Sequence, residues 1–224
     1  MFHVKHNHGI LKLVECLAEQ GIVFSQTQEK QIDVYYKMLL EWNRKINLVS
    51  RTNTEETLEK NFISSFLFWS VLIKQSLKPG SRFADLGSGG GFPGIPLSIM
   101  MPEYHGTLVD SSRKKMLFLK KAVAALGLNT NVINKRVEEI KLIEDQKFDF
   151  IVALAFAPLE KLVFYAKPLL KKDGFVLTLK GKNYRDELIE PEQGTFKITP
   201  ITIDENWRSG FSPFKEKIIL RLEL

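Results

Sequence analysis

The 224-residue chain has few features that would support a disulfide framework or a membrane anchor. Cys16 is its only cysteine, which excludes a disulfide framework and a cysteine-based metal cluster. The most apolar segment, FISSFLFWSVLI at 62–73, is shorter than the roughly 20 residues that span a bilayer. The start, MFHVKHNHG, has no apolar run behind its charges, so we expect no signal peptide. These absences predict a soluble cytoplasmic protein.

The charge and the histidines of the chain raise two further possibilities, a polyanionic partner and a metal site. The net charge is +6 and the pI is about 9.2, which is compatible with a polyanionic partner but does not identify one. His3, His6 and His8 crowd the N-terminus, but no acidic residue or cysteine lies nearby to complete a metal site. We therefore expect no bound metal.

The chain changes character at about residue 78. Before that point, three stretches have apolar residues at helical spacing: 10–20, 27–42 and 55–75. No strand pattern appears before residue 80, and KPG at 78–80 breaks the chain. We expect a helical N-terminal region at 1–77 and a second domain at 78–224.

The second domain alternates β-rich runs with helical stretches. The β-rich runs are RFADL (82–86), GTLVD (106–110), TNVIN (130–134), FDFIVAL (148–154) and GFVLTLK (174–180). The helical stretches are 96–101, 112–127 and 158–171. Such alternation predicts an α/β fold with a parallel, doubly wound sheet. The last two strands, at 196–204 and 214–224, have no helix pattern between them and predict an antiparallel hairpin at one sheet edge.

A glycine-rich loop, GSGGGFPG at 87–94, follows the first predicted strand and precedes a helix. Glycine permits a sharp turn and lets a ligand contact the backbone. Amides at a helix start favour anionic or electron-rich ligand groups. Asp110 ends the second strand about 20 residues on, where an acid commonly binds ribose hydroxyls. The pattern predicts a cofactor that contains a nucleoside.

The register of the glycines distinguishes between cofactors. Gly89, Gly91 and Gly94 match the dinucleotide pattern G-x-G-x-x-G, but the first glycine after the strand is Gly87. From there the string is D-x-G-x-G-x-G, with Asp85 just before the first glycine. That form is typical of S-adenosylmethionine enzymes, in which the acid faces the methionine end. The loop therefore favours S-adenosyl-L-methionine over a nicotinamide dinucleotide.

Several segments together carry a family resemblance. EWNRKINLVS (41–50), DLGSGGGFPGIPLSI (85–99), LVDSSRKKMLFLKK (108–121), NKRVEEI (134–140) and LKG (179–181) occur in this order. They resemble the bacterial small-subunit (16S) ribosomal RNA guanine-N7 methyltransferase family, once called glucose-inhibited division protein B. The resemblance covers nearly the whole chain. It implies a seven-stranded, Rossmann-like S-adenosylmethionine-dependent methyltransferase fold with a helical N-terminal extension.

The resemblance also implies roles for individual residues. Gly87 and Phe92 would line the cofactor pocket, and Asp110 would hold the ribose. Val137 and Glu138 would border the adenine. With the loop and its neighbours, the expected cofactor-binding residues are Asp85, Gly87, Gly89, Gly91, Phe92, Asp110, Ser111, Val137 and Glu138.

Methylation at guanine N7 needs alignment rather than a base, because N7 already carries an available lone pair. No Asp/Asn-Pro-Pro-aromatic motif follows the fourth strand, which disfavours methylation of an exocyclic amine. Guanine presents N7 and O6 together as acceptors. Arg136 and Lys180 are the candidate catalytic donors to O6, with an ordinary surface salt bridge as the alternative for each. Phe156 is a candidate for stacking on a base, or else a core residue.

The expected partner is 16S ribosomal RNA or an assembling small ribosomal subunit, bound by a monomer without DNA or membrane. Lys182 and Arg185 follow the fifth strand at the carboxyl edge of the sheet, where ligands bind in such folds, and are expected to contact RNA. Lys215 is a third expected RNA contact. It stands near a position where the family usually has arginine.

Two further segments depart from the family pattern. ALAFA (153–157) places Leu154 where the family has an arginine, and NFISS (61–65) replaces an H-x-x-D-S segment. These departures motivate the first of three alternatives that stay open. The alternatives are an RNA-binding protein with weak or lost catalysis, a small-molecule methyltransferase, and a nicotinamide dehydrogenase, which the glycine register and the terminal hairpin disfavour.

Overall fold

The computed structural model describes residues 14, 15, 17–187, 196–203, 207, 214 and 216–223. The three N-terminal histidines, Cys16 and Lys215 lie outside the described residues. Five helices are bounded as α1 Gln26–Asn43, α2 Thr54–Leu72, α3 Gly94–Met100, α4 Arg113–Leu126 and α5 Leu159–Ala166. Residues 14, 15 and 17–19 are also helical, within the predicted 10–20 stretch.

Seven strands form a single sheet in the order β3-β2-β1-β4-β5-β7-β6. Their bounds are β1 Arg82–Leu86, β2 His105–Val109, β3 Thr130–Ile133, β4 Phe148–Ala153, β5 Leu170–Gly181, β6 Lys197–Ile201 and β7 Lys217–Glu223. Strands β1 to β5 are parallel, and β7 lies antiparallel between β5 and β6. The predicted α/β fold and the antiparallel pair at one edge are confirmed.

The helix boundaries differ from the sequence expectation by one to five residues, and two of the differences involve proline. The helix expected at 96–101 begins at Gly94, so Pro96 lies in its first turn, where its missing N–H has no helical partner to lose. The helix expected to continue to residue 171 ends at Ala166. A short 3-10 turn follows at Lys167–Leu169, because Pro168 cannot donate the next helical hydrogen bond.

The N-terminal helices pack directly on one face of the sheet. Successive strand residues point to opposite faces, so Phe83 belongs to the core with α1 and α2, whereas Ala84 belongs to the core with α5. The boundary predicted after residue 77 falls between α2 and β1 and stays a prediction. Within the described residues, we find no helix with the length and apolar character to cross a membrane.

Candidate cofactor and substrate site

A cavity of about 260 Å³ lies where strands β1 to β4 end. It is lined by Gly87, Val109, Asp110, Ser111, Lys135, Arg136, Val137, Glu138, Phe156, Ala157 and Tyr165. Strand order reverses between β1 and β4, and α/β sheets bind ligands beyond the carboxyl ends of strands at such a switch point. The structure therefore brings together residues that follow or end four strands, and Tyr165 of α5, at the expected edge.

A larger cavity, of about 800 Å³, lies at the opposite edge of the sheet. It is lined by residues 75–77 and by the start of β5, and its charged groups are of both signs. The glycine-rich loop 87–94 does not line it. We place the site in the smaller cavity because that cavity alone of the two lies at the carboxyl ends of the parallel strands.

The glycines of the loop allow two close approaches. A Cβ on Gly87, whose φ is +74°, would lie 2.5 Å from the Phe156 ring. A Cβ on Gly91, whose φ is +99°, would lie 2.8 Å from the Tyr35 hydroxyl. Tyr35 Oη also donates a hydrogen bond of 2.7 Å to the Gly90 carbonyl. The loop is thus held between an aromatic ring at the cavity and the N-terminal helix α1.

Asp110 is fixed by backbone amides. Its Oδ2 accepts a hydrogen bond of 2.9 Å from the Gly89 amide, and its Oδ1 accepts one of 2.7 Å from the Ser112 amide. Each carboxylate oxygen retains a second lone pair that can accept from a hydroxyl. Asp110 is therefore oriented before any ligand binds, as its expected role towards ribose requires.

Asp85 does not reach the cavity. Its side chain is fully buried, and its Oδ2 accepts a hydrogen bond of 3.0 Å from the Gly94 amide at the first residue of α3. Its buried Oδ1 has no hydrogen-bond partner among the described residues. Burial raises the pKa of this carboxyl well above its ordinary value, and the Asp110 charge raises it further. A neutral Asp85 that supports the loop from behind fits this arrangement.

Phe92 also lies behind the loop and not in the cavity. It is 5% exposed and packs edge-on against Phe62, with ring centroids 5.0 Å apart, and against Tyr35 at 5.4 Å. Gly89 and Gly91 likewise do not line the cavity. For these three residues and Asp85, direct contact with a cofactor stays a prediction, and the structure gives them loop support instead.

The segment after β3 supplies one apolar and several charged groups. Val137 is buried and lines the cavity, while the Arg136 side chain is 72% exposed. The Arg136 guanidinium lies 3.9 Å from the Glu138 carboxylate, which is too long for a strong ion pair. Arg136 is therefore available to a substrate at the cavity mouth.

Lys180 is engaged elsewhere. Its Nζ donates to Glu187 Oε2 at 2.6 Å and to the Ala157 carbonyl at 2.9 Å, and its side chain is only 13% exposed. Glu187 Oε2 also accepts from the Leu159 amide, at 3.1 Å. Lys180 does not line the cavity, and its contacts hold the segment between β4 and α5. Its predicted catalytic role stays untested, and the geometry favours a positioning role.

The expected RNA contacts on the C-terminal side are partly occupied. Lys182 Nζ lies 2.6 Å from Glu216 Oε1, in an exposed pair. The Arg185 guanidinium carbon lies 5.5 Å from the centre of the Tyr184 ring. Lys215 falls outside the described residues. Contact of these three residues with RNA stays a prediction.

Leu154 packs, half-buried, against the core that contains α1 and α2. The next residue, Ala155, has a φ of +55°, which is unusual for a residue other than glycine. This turn carries the chain from the end of β4 to Phe156, whose ring lies against Gly87. Strained backbone of this kind often occurs at binding sites.

Sequence reasoning missed three cavity or support residues. Lys135 and Tyr165 line the cavity, and Glu187 bridges Lys180 to the start of α5. Lys135 adjoins Arg136 in the segment NKRVEEI, so the reasoning that selected Arg136 could also have selected Lys135. Nothing in the spacing of the chain connects Glu187 with Leu159, so no local signal existed for it.

The residues fit the nucleoside part of S-adenosylmethionine. Asp110 offers acceptors for hydroxyls, Val137 offers an apolar wall, and Gly87 lines the cavity without a side chain. The cavity volume of about 260 Å³ is slightly below the roughly 300–1,000 Å³ of typical small-molecule sites.

Comparisons with known proteins identify the family of this chain. Residues 28–200 match the family model described as GidB, rRNA small subunit methyltransferase G. A protein named Ribosomal RNA small subunit methyltransferase G from Thermoanaerobacter sp. (strain X514) is 37% identical over 202 residues, which cover 89% of this chain and 82% of that protein. A protein of the same name from Chlorobium luteolum is 38% identical over 187 residues, which cover 83% of this chain and 76% of that protein.

Solved structures share the fold at low identity. The plantazolicin methyltransferase BpumL, in complex with SAH and a pentazolic desmethylPZN analogue, aligns with a TM-score of 0.55 at 15% identity, covering 88% of this chain and 98% of that one. A mutant of MtNAS in complex with S-adenosylmethionine aligns with a TM-score of 0.54 at 15% identity, covering 98% and 79%. At this level of identity the likeness concerns the fold alone.

Proposed function

Because this chain belongs to the GidB family, rRNA small subunit methyltransferase G, we propose that it methylates N7 of a guanine in 16S ribosomal RNA. Family membership makes it an S-adenosylmethionine-dependent methyltransferase of small-subunit ribosomal RNA. The single observation that carries the proposal is the cavity that joins Gly87, Asp110 and Val137 at the carboxyl edge of the sheet. The same membership disfavours a small-molecule methyltransferase and a nicotinamide dehydrogenase.

When bound, S-adenosylmethionine supplies a methyl group on a positively charged sulfur. The residues of this chain then act by binding and orientation. Asp110, held by two amides, accepts from hydroxyls, and Val137 borders the base of the nucleoside. Glu138 and Ser111 complete the polar side of the same wall. No residue is required to remove a proton, because guanine N7 presents a free lone pair.

Arg136 is the proposed donor to guanine O6. It lines the cavity, its side chain is largely exposed, and its guanidinium lies 3.9 Å from the Glu138 carboxylate. In ordinary guanine recognition, a guanidinium donates to both O6 and N7. Methylation requires an unbonded N7, so Arg136 would donate to O6 alone. Phe156, at the cavity wall, is placed to pack against the target base.

We further propose a cytoplasmic monomer that acts on free 16S ribosomal RNA or on an assembling small subunit. Helix α1 supports the glycine-rich loop, as the hydrogen bond between Tyr35 and Gly90 indicates. Lys182, Arg185 and Lys215 are the proposed RNA contacts on the C-terminal side.

The test is methyl transfer from labelled S-adenosylmethionine to 16S ribosomal RNA transcript and to small subunits. Reduction and aniline cleavage at 7-methylguanosine would then locate the product. The proposal expects one cleavage site with wild type and a strong loss of label with Asp110→Ala. Label without cleavage at a guanine would refute N7 as the acceptor. No label on any small-subunit RNA would refute the proposed activity.

A second candidate function is RNA binding with weak catalysis, and Leu154 is the observation that favours it. The family pattern predicts arginine at this position, which lies one residue before the strained Ala155. On this hypothesis, Leu154→Arg should raise turnover severalfold without changing RNA affinity. Unchanged turnover would argue that Leu154 is not a catalytic defect.

A further inference from the structure

The solvent face of α5 presents an aromatic ring between two basic side chains. Phe164 is 72% exposed. Lys161 lies three residues before it on α5, and Lys167, which directly follows α5, lies three residues after it, so both basic side chains are on the same side as the ring. The opposite face of α5 is buried and consists of Leu159, Leu162, Val163 and Ala166. The core of the protein therefore does not need Phe164.

Exposure of this kind is unusual in the chain. The other large apolar side chains that are exposed among the described residues are all aliphatic: Val23, Val34, Ile73, Leu117 and Ile143. Single exposed aliphatic residues are common on protein surfaces and need no explanation. An exposed phenylalanine that continues a cavity wall is different, because aromatic rings are the usual stacking partners of unpaired bases.

Phe164 is the outer end of a row of three rings that begins in the cavity. Phe156 and Tyr165 both line the cavity, and their ring centroids are 6.1 Å apart in an edge-on arrangement. Tyr165 and Phe164 are 5.6 Å apart, with their planes at 66°. We call Phe156, Tyr165 and Phe164 the aromatic row. It connects the candidate methylation site to the protein surface.

Positive charge surrounds this row. The side chains of Lys161 and Lys167 form no hydrogen bond or ion pair with the described residues, so both ammonium groups are free for a ligand. Lys135 and Arg136 line the cavity together with Tyr165. Cations therefore lie at both ends of the row. A polyanionic chain that approached the cavity along this path would meet these four cations, although Asp110 and Glu138 also line the cavity.

We propose that the aromatic row binds a nucleotide that flanks the target guanine in the RNA substrate. Its base stacks on Phe164, and Lys161 and Lys167 contact the neighbouring phosphates. This inference rests on the proposed function, since it requires the guanine in the cavity. Stacking on an aromatic ring tolerates any base, so this contact adds affinity and position rather than sequence choice. A docking protein would bury the same ring, but the unpaired lysines on either side favour RNA.

The first experiment compares Phe164→Ala, Phe164→Trp and the control Ile73→Ala. Ile73 is also exposed but lies just after α2, next to the residues that line the cavity at the opposite edge of the sheet. Binding of 16S ribosomal RNA transcript and of S-adenosylmethionine is measured for each. We expect Phe164→Ala to weaken RNA binding roughly tenfold, as loss of one stacked base does. Phe164→Trp and Ile73→Ala should retain it, and cofactor affinity should be unchanged in all three.

The second experiment tests the charges. The double variant Lys161→Gln/Lys167→Gln should reduce the slope of log K against log salt by about 1.4, because each phosphate contact on single-stranded RNA contributes about 0.7. The control Lys74→Gln/Lys78→Gln removes two exposed lysines next to the opposite edge and should leave the slope unchanged.

The outcomes separate this inference from the proposed function. Equal RNA affinity of Phe164→Ala and Ile73→Ala would overturn the inference about the aromatic row. If wild type methylated the same RNA, the proposed function would still hold. A defect seen only with assembled subunits, and not with free RNA, would assign the face to a protein partner and also overturn it. A wild type that neither binds nor methylates RNA would refute the proposed function itself.

Discussion

Lys180 Nζ and Glu187 Oε2 lie 2.6 Å apart and join the end of β5 to the start of α5. The same Glu187 oxygen accepts from the Leu159 amide, and the same Lys180 nitrogen donates to the Ala157 carbonyl. The pair therefore fixes both ends of the segment that follows Phe156. Through it, two residues outside the cavity control where a cavity-lining ring lies.

We expect Glu187→Gln to lower the free energy of unfolding by about 1–3 kcal/mol, because it removes the counter-charge of a largely buried ammonium group. Turnover should also fall, since the segment after Phe156 loses its anchor. Urea unfolding and steady-state kinetics measure the two effects. The matched control is Glu216→Gln, which breaks an exposed lysine–glutamate pair of the same 2.6 Å length at Lys182. Equal effects of the two variants would contradict a positioning role for Lys180.

Gly87→Ala should weaken S-adenosylmethionine binding at least tenfold. The new methyl group would lie 2.5 Å from the Phe156 ring, at a backbone φ of +74°. The control Gly80→Ala has a similar φ, of +83°, but nothing within 4 Å of its Cβ, so it reports the backbone strain without the clash. Calorimetric titration measures both. If Gly80→Ala lost as much affinity, close approach at Gly87 would not be the reason for the glycine.

Asp85→Asn should change how stability depends on pH. Burial raises the pKa of Asp85 in the folded protein, so the folded state favours the neutral carboxyl. The stability that this group contributes is fully present below its unfolded pKa and is lost as pH rises through its folded pKa. Asparagine is neutral at every pH and lacks this loss. In urea unfolding, the free energy of unfolding of the variant should therefore rise relative to that of wild type between pH 5 and pH 8. A constant difference between them would indicate that Asp85 does not titrate in this range.

Asn43→Ala should lower the free energy of unfolding by about 1–3 kcal/mol. Asn43 is 4% exposed, and its Oδ1 accepts from the Leu48 and Val49 amides at 2.9 and 3.0 Å. Its loss leaves the buried Val49 amide without a partner and removes one of the two acceptors of the Leu48 amide, which also donates to the Ile46 carbonyl at 3.0 Å. Asn47→Ala, four residues on, changes an exposed side chain and should leave stability nearly unchanged. Chemical denaturation of both variants checks the contrast.

The sequence alone was sufficient for the features that depend on local pattern. Alternating β-rich and helical stretches predicted the parallel strands, and the missing helix between the last two strands predicted their antiparallel pairing. The same reasoning brought Gly87 and Asp110 to one edge, because the carboxyl ends of parallel strands share an edge, whereas Val137 was expected there from the family resemblance. Periodicity and strand direction are properties of short segments, so sequence reveals them.

Only the tertiary structure decided which side chains face the cavity. Asp85 and Phe92 belong to the predicted glycine-rich segment, yet neither lines the cavity. Asp85 accepts from the Gly94 amide, and Phe92 packs against Phe62. Lys180 forms an ion pair with Glu187 and does not line the cavity. Phe164 is exposed and adjoins Tyr165, which lines the cavity. Each outcome depends on partners distant in the chain, such as Phe62 against Phe92. Packing between distant segments selects these directions, and no local spacing encodes them.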